Sequence, residues 1–150
     1  MNILHSPRRG DQGFSLIELL IVVAIISIIA AIAIPNYLES QHSACAASAI
    51  SSLRQIHSSE VAYRTANDRY TDLNTLGASN YLGDPLVVAG AKSRYRFTAT
   101  ADAADPDLNY QATATPTLLP VRWRHFFVDA TGVIRSRLNA PASPLSPPIG

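Results

Sequence analysis

The chain of 150 residues holds one cysteine, one tryptophan and one methionine. A lone Cys45 excludes an internal disulfide and any cysteine-based zinc site, and on a helix it reads as a small buried apolar residue. Charge is scarce as well. Asp, Glu, Lys and Arg make up 15% of the chain and the net charge is +1, so the overall balance does not argue for nucleic acid as the main partner. Catalytic groupings are missing too. His42 and His57 stand fifteen residues apart on a predicted helix, too far to share a metal, and His5 and His125 are remote from both. None of the serines sits in a nucleophile-elbow context. With no nucleophile, metal or cofactor cluster, the expectation is a protein without enzymatic activity, resident metal or cofactor.

Apolar residues are plentiful, and they are concentrated in one place. They make up 47% of the chain, and residues 19–34 read LLIVVAIISIIAAIAI with Ser27 the only polar side chain. The apolar segment 14–34 is long enough to cross a hydrocarbon core of ~30 Å. It is also longer than the apolar core of about 7–15 residues in a secretory signal, so it reads as a retained anchor. The polar leader before it carries Arg8 and Arg9, which would hold the N-terminus in the cytoplasm and send the rest across the membrane. The remainder is a small domain with a modest core. Glu18 is the anomaly: a carboxylate near the start of the greasiest stretch, where an unpaired charge is costly.

Residues 13–37, GFSLIELLIVVAIISIIAAIAIPNY, combine four features at fixed spacing. A glycine precedes an aromatic residue, a glutamate follows at the fifth position from that aromatic, a long apolar helix comes next, and a proline stands at its far end. This segment resembles the N-terminus of type IV pilins and of the related pseudopilins of type II secretion. One departure is that Gln12 stands where a basic residue is frequent in the family, which would weaken processing slightly.

The resemblance implies that a prepilin peptidase cuts between Gly13 and Phe14 and that the new Phe14 amine is N-methylated from S-adenosylmethionine. It implies that Glu18 acts in assembly, pairing with that amine in its own or a neighbouring subunit. Such pairing removes the penalty of an isolated buried charge, and a carboxylate in the first helical turns also suits the positive end of the helix dipole. The implied partners are the peptidase, an assembly platform in the inner membrane, the membrane itself before assembly, and further copies in a homo-oligomeric helical filament. The implied location is the bacterial inner membrane as a single pass, then an extracellular pilus or a periplasmic pseudopilus. The function expected is that of a structural pilus subunit. The alternatives are a type II secretion pseudopilin or a minor pilin that binds DNA for uptake.

The fold expected is α+β: a long N-terminal helix packed on a small antiparallel sheet. Residues 1–13 form the cleaved leader, 14–34 the membrane and filament-core helix, and 35–67 its amphipathic continuation. Residues 68–138 form the exposed sheet domain and 139–150 a flexible Pro-rich tail. Pro35 removes a helix hydrogen bond and predicts a kink rather than an end, because Leu38, Cys45, Ala49, Leu53, Ile56 and Tyr63 continue along one face. Asp72 is expected to cap a short turn that Gly77 ends. Strands are predicted over 93–101, 108–116 and 124–137, the last folded on the turn signal DATG at 129–132. Asp102, Asp105 and Asp107 form an acidic loop of the kind that can hold calcium, although such loops are usually only solvated. Arg122, Trp123 and Arg124 combine charge with a stacking ring and are the candidate surface recognition patch, suited to single-stranded nucleic acid. A Trp flanked by Arg more often packs at a domain edge, so nucleic acid is disfavoured.

Overall fold

Pro35 lies inside the first helix. The computed structural model describes residues 13–117 and 123–149, and α1 runs Leu16–Asn67 with Pro35 within it. Contacts divide the chain into two units, Met1–Glu39 and Ser40–Gly150. In the first, the apolar side chains are exposed, with Phe14 at 74% and Ile28 at 65%. An 18-residue window of α1 reaches a mean hydropathy of 3.0, enough by length and composition to cross a membrane. Its single hydroxyl is satisfied locally: Ser27 Oγ donates to the Val23 carbonyl at 2.7 Å.

The second unit is built on the C-terminal part of α1. Ala49, Ser52, Leu53, Ile56, Ser59, Glu60 and Tyr63 are buried at the spacing of one helical face. Five antiparallel strands lie in chain order as a meander: β1 Ala91–Lys92, β2 Tyr95–Ala101, β3 Tyr110–Pro116, β4 Arg124–Asp129 and β5 Arg135–Leu138. Along β2 the alternation is strict, with Tyr95, Phe97 and Ala99 buried and Arg96, Thr98 and Thr100 exposed. Register carries the pattern across the sheet, pairing Phe97 with Ala114 and Ala114 with Phe126. The inward side chains form one core cluster with Leu53, Ile56 and Tyr63 of α1. The protein therefore has the α+β pilin fold, a long helix packed on a small antiparallel sheet. The predicted strand over 124–137 divides into β4 and β5 at the DATG turn, where Gly132 takes φ +72° and its N–H reaches the Asp129 carbonyl at 2.9 Å.

Three expectations need correction. Asp72 does cap α2 (Leu73–Ala78), accepting from the Thr75 N–H at 3.0 Å, but Gly77 lies within that helix rather than ending it. A Cβ at Gly77 would meet Val88 Cγ1 at 2.5 Å, so glycine is there for close packing against α3 (Pro85–Val88). In an open helix Gly→Ala gains about 1 kcal/mol. Here the overpacking cost of about 1–3 kcal/mol on a stiff Val outweighs it. Gly77→Ala should therefore lower the urea midpoint of the detergent-solubilised chain; a raised midpoint would show that Val88 yields freely.

The second correction concerns the tail, which docks on the sheet rather than hanging free. Ser136 N donates to Pro147 O at 3.0 Å, Ile149 N donates to Ile134 O at 3.0 Å, and Arg135 and Pro148 form a bridge. Prolines suit this position because an edge segment needs only alternate N–H groups. Leu38 is the third, since it is 47% exposed and does not join the buried face.

Candidate functional site

The N-terminal residues lead directly into α1. Gly13, Phe14 and Ser15 precede the helix, and Glu18 sits exposed in its first turn. An added Cβ at Gly13 would meet nothing within 4 Å, so the bond after it is open to approach. Glu18 lies in the first turn, where the helix dipole favours a negative charge. Among the described residues the one ion pair is Lys92–Asp84 at 2.7 Å, so Glu18 has no cationic partner among them. Charge, helix start and a continuous apolar surface thus meet on one short segment.

The proposed surface patch comes apart. Trp123 is only 5% exposed, its ring centroid 4.6 Å from that of His42 and 5.7 Å from that of Tyr95. It packs between α1 and the sheet, so its faces are not free to stack on a base. Arg124 is exposed; its guanidinium donates to Ser136 Oγ at 3.3 Å and its carbonyl accepts from the Tyr95 hydroxyl at 2.9 Å. Arg122 lies outside the described residues. The acidic loop follows β2, with Asp102 Oδ1 accepting from Ala104 N at 2.9 Å. Among the described residues no three His, Cys, Asp or Glu side chains converge as metal ligands.

Sequence reasoning missed Glu60. It is fully buried on the core face of α1, with Oε2 accepting from Thr71 N at 3.1 Å and Oε1 without a partner. Burial raises its pKa to about 7; the Thr71 N–H opposes that shift and the charge of Asp72 adds to it. The signal was present in the spacing, since Glu60 follows Ile56 by one helical turn. Nearby, His57 Nδ1 and the Tyr110 hydroxyl are hydrogen-bonded at 2.6 Å. Burial lowers the pKa of His57 against the opposing charge of Asp129, and burial raises that of Tyr110. Gly132 completes this corner, because a Cβ there would come within 2.8 Å of His57 Nε2.

A pilin-like fold whose N-terminal helix starts at an exposed glycine, aromatic and glutamate defines a class. The match to known proteins agrees with it. Residues 8–34 match the prokaryotic N-terminal methylation motif. The chain is 35% identical over 108 residues to the type IV major pilin protein PilA of Myxococcus xanthus, covering 71% of this chain and 44% of that protein. It is 41% identical over 63 residues to the type IV wide pilus major component PilA4 of Thermus thermophilus, 42% of this chain and 48% of the relative. The chain thus spans less than half the length of these curated relatives. Motif, fold and relatives together support assignment of this chain to the type IV pilin family.

Proposed function

We propose that this chain is a structural subunit of a type IV pilus-like filament. The observation that carries the reading is the start of α1: residues 16–34 form an apolar helix with its side chains exposed, in which Glu18 is the single carboxylate. Each large apolar side chain there would gain ~1.5–3 kcal/mol on leaving water, so the segment requires a bilayer or a bundle of its own kind. On this reading the helix waits in the inner membrane, with residues 1–13 cytoplasmic and the sheet unit outside. A prepilin peptidase cuts after Gly13, the Phe14 amine is methylated, and an assembly platform passes the subunit into the fibre. Glu18 then pairs with a Phe14 amine as the helices bundle. The contacts repeat head to tail without closing, as a fibre requires.

The test is the N-terminus and intact mass of the chain in a fraction sheared from the cell surface. The expected species starts at Phe14 and carries one extra methyl group. The same processed chain confined to membranes would point to a pseudopilus, and an unprocessed chain starting at Met1 would end the subunit reading.

A further inference from the structure

We infer that the basic end of the sheet's outer face is the docking surface for the 102–109 loop of a second copy of this chain. The inference rests on the filament reading and adds to it which surfaces of the sheet unit meet. Arg96 projects on the face opposite the buried Tyr95, Phe97 and Ala99. It pairs in register with Thr115, while His125 pairs with Arg137 and Thr113 with Phe127. Because side chains alternate along each strand, Arg96, His125 and Arg137 share the outer face at one end of the sheet. Arg94 lies in the turn just before β2. Arg94, Arg96 and Arg137 are exposed and unpaired with any acidic group among the described residues. Along the strands this face carries no carboxylate until Asp129, at the far end of β4. Arg135 is already engaged, donating to the Ser146 carbonyl of the tail at 3.1 Å.

The other end of the same sheet carries the opposite sign. The 102–109 loop joins β2 to β3 and lies about 20 Å along the strand direction from Arg96. It presents Asp102, Asp105 and Asp107, none in an ion pair among the described residues, together with Leu108 at 57% exposure. The two ends of the sheet unit thus carry opposite signs, and the contact they fit is one of charge complementarity. A copy displaced along the strand direction brings the acidic end of one sheet onto the basic end of the next. The two patches differ, so the contact is heterologous and can be repeated without closing. An external polyanion would neutralise the arginines but leave the acidic loop unpartnered. The second copy satisfies all of them.

The test uses the full chain in cells and measures sheared filaments, with cleavage before Phe14 as the check that each variant inserts and an undiminished whole-cell level of the chain as the check that it folds. Arg96→Glu with Arg137→Glu should lower filament yield about tenfold, and Asp105→Arg with Asp107→Arg should do the same. All four changes together should restore yield, because the attraction is re-formed with its sign exchanged. Wild-type yield from either pair, or no rescue by the combination, would overturn the contact. So would an arginine variant that keeps its filaments but loses retention of added DNA, since the basic end would then face outward. Absence of filaments from the unmodified strain would remove the filament reading, and the contact with it.

Discussion

Glu60→Gln should flatten the pH dependence of stability and make the protein more stable above pH 7. The carboxylate is fully buried with one backbone donor and one oxygen unpartnered, so its charged form is poorly solvated. Its pKa of about 7 in the folded chain lies above the ordinary value of 4.5. The folded state therefore holds a proton that the unfolded chain releases. The stabilisation is complete below pH 4.5, declines as pH rises, and is gone above about 7. A shift of this size corresponds to about 3 kcal/mol across that window. Gln keeps an acceptor for Thr71 N and carries no charge, so the variant should not share this loss. His57 and His125 work in the opposite direction, because burial lowers their pKa values and their contribution is lost as pH falls below the ordinary histidine range. They are common to both proteins, and the difference between wild type and variant isolates Glu60. Urea unfolding of the detergent-solubilised chains from pH 4.5 to 8.5 measures it. Parallel curves would mean that Glu60 remains ionised throughout or finds a partner on ionising.

Glu18→Ala should remove filaments while leaving cleavage and membrane insertion unchanged. Glu18 is the third residue of α1 with no ion-pair partner among the described residues, and cleavage before Phe14 would create a positive amine nearby. When two charges are paired away from water, deleting one leaves the other unsatisfied at a cost of about 3–5 kcal/mol. Applied to each docking subunit, that is a factor of a hundred or more in the docking equilibrium, enough to suppress growth of the fibre. Glu18→Gln should retain part of the yield, because an amide still accepts a hydrogen bond from the amine. Immunoblots of whole-cell and sheared fractions separate the steps. Normal filament yield from Glu18→Ala, with normal processing, would remove the pairing from the mechanism.

Much of this protein is written in local pattern. The run at 19–34 has no polar interruption beyond Ser27, and that alone makes a helix apolar and long enough to cross a membrane. Alternation in YRFTATA predicts a strand with one wet face because β geometry turns successive side chains to opposite sides, and β2 follows it residue by residue. DATG separates two strands because a glycine supplies the positive φ that the turn needs. Each of these depends only on neighbours a few positions away.

Other features depend on partners distant in the chain. Trp123 is covered by His42 and Tyr95, and no window around VRWRHFF contains either residue. Gly77 looks like a helix stop until Val88 is set against it. The Pro-rich tail has the composition of a free end, but the open edge of β5 offers it backbone donors and acceptors. The sequence by itself determined the membrane-type helix, the pilin-like N-terminal motif and the segments that become β2 to β5; the order of the strands in the sheet came from the structure. Tertiary structure alone decided which polar and small residues were buried, because burial is set by what packs over a side chain, whereas periodicity reports only the direction in which it points.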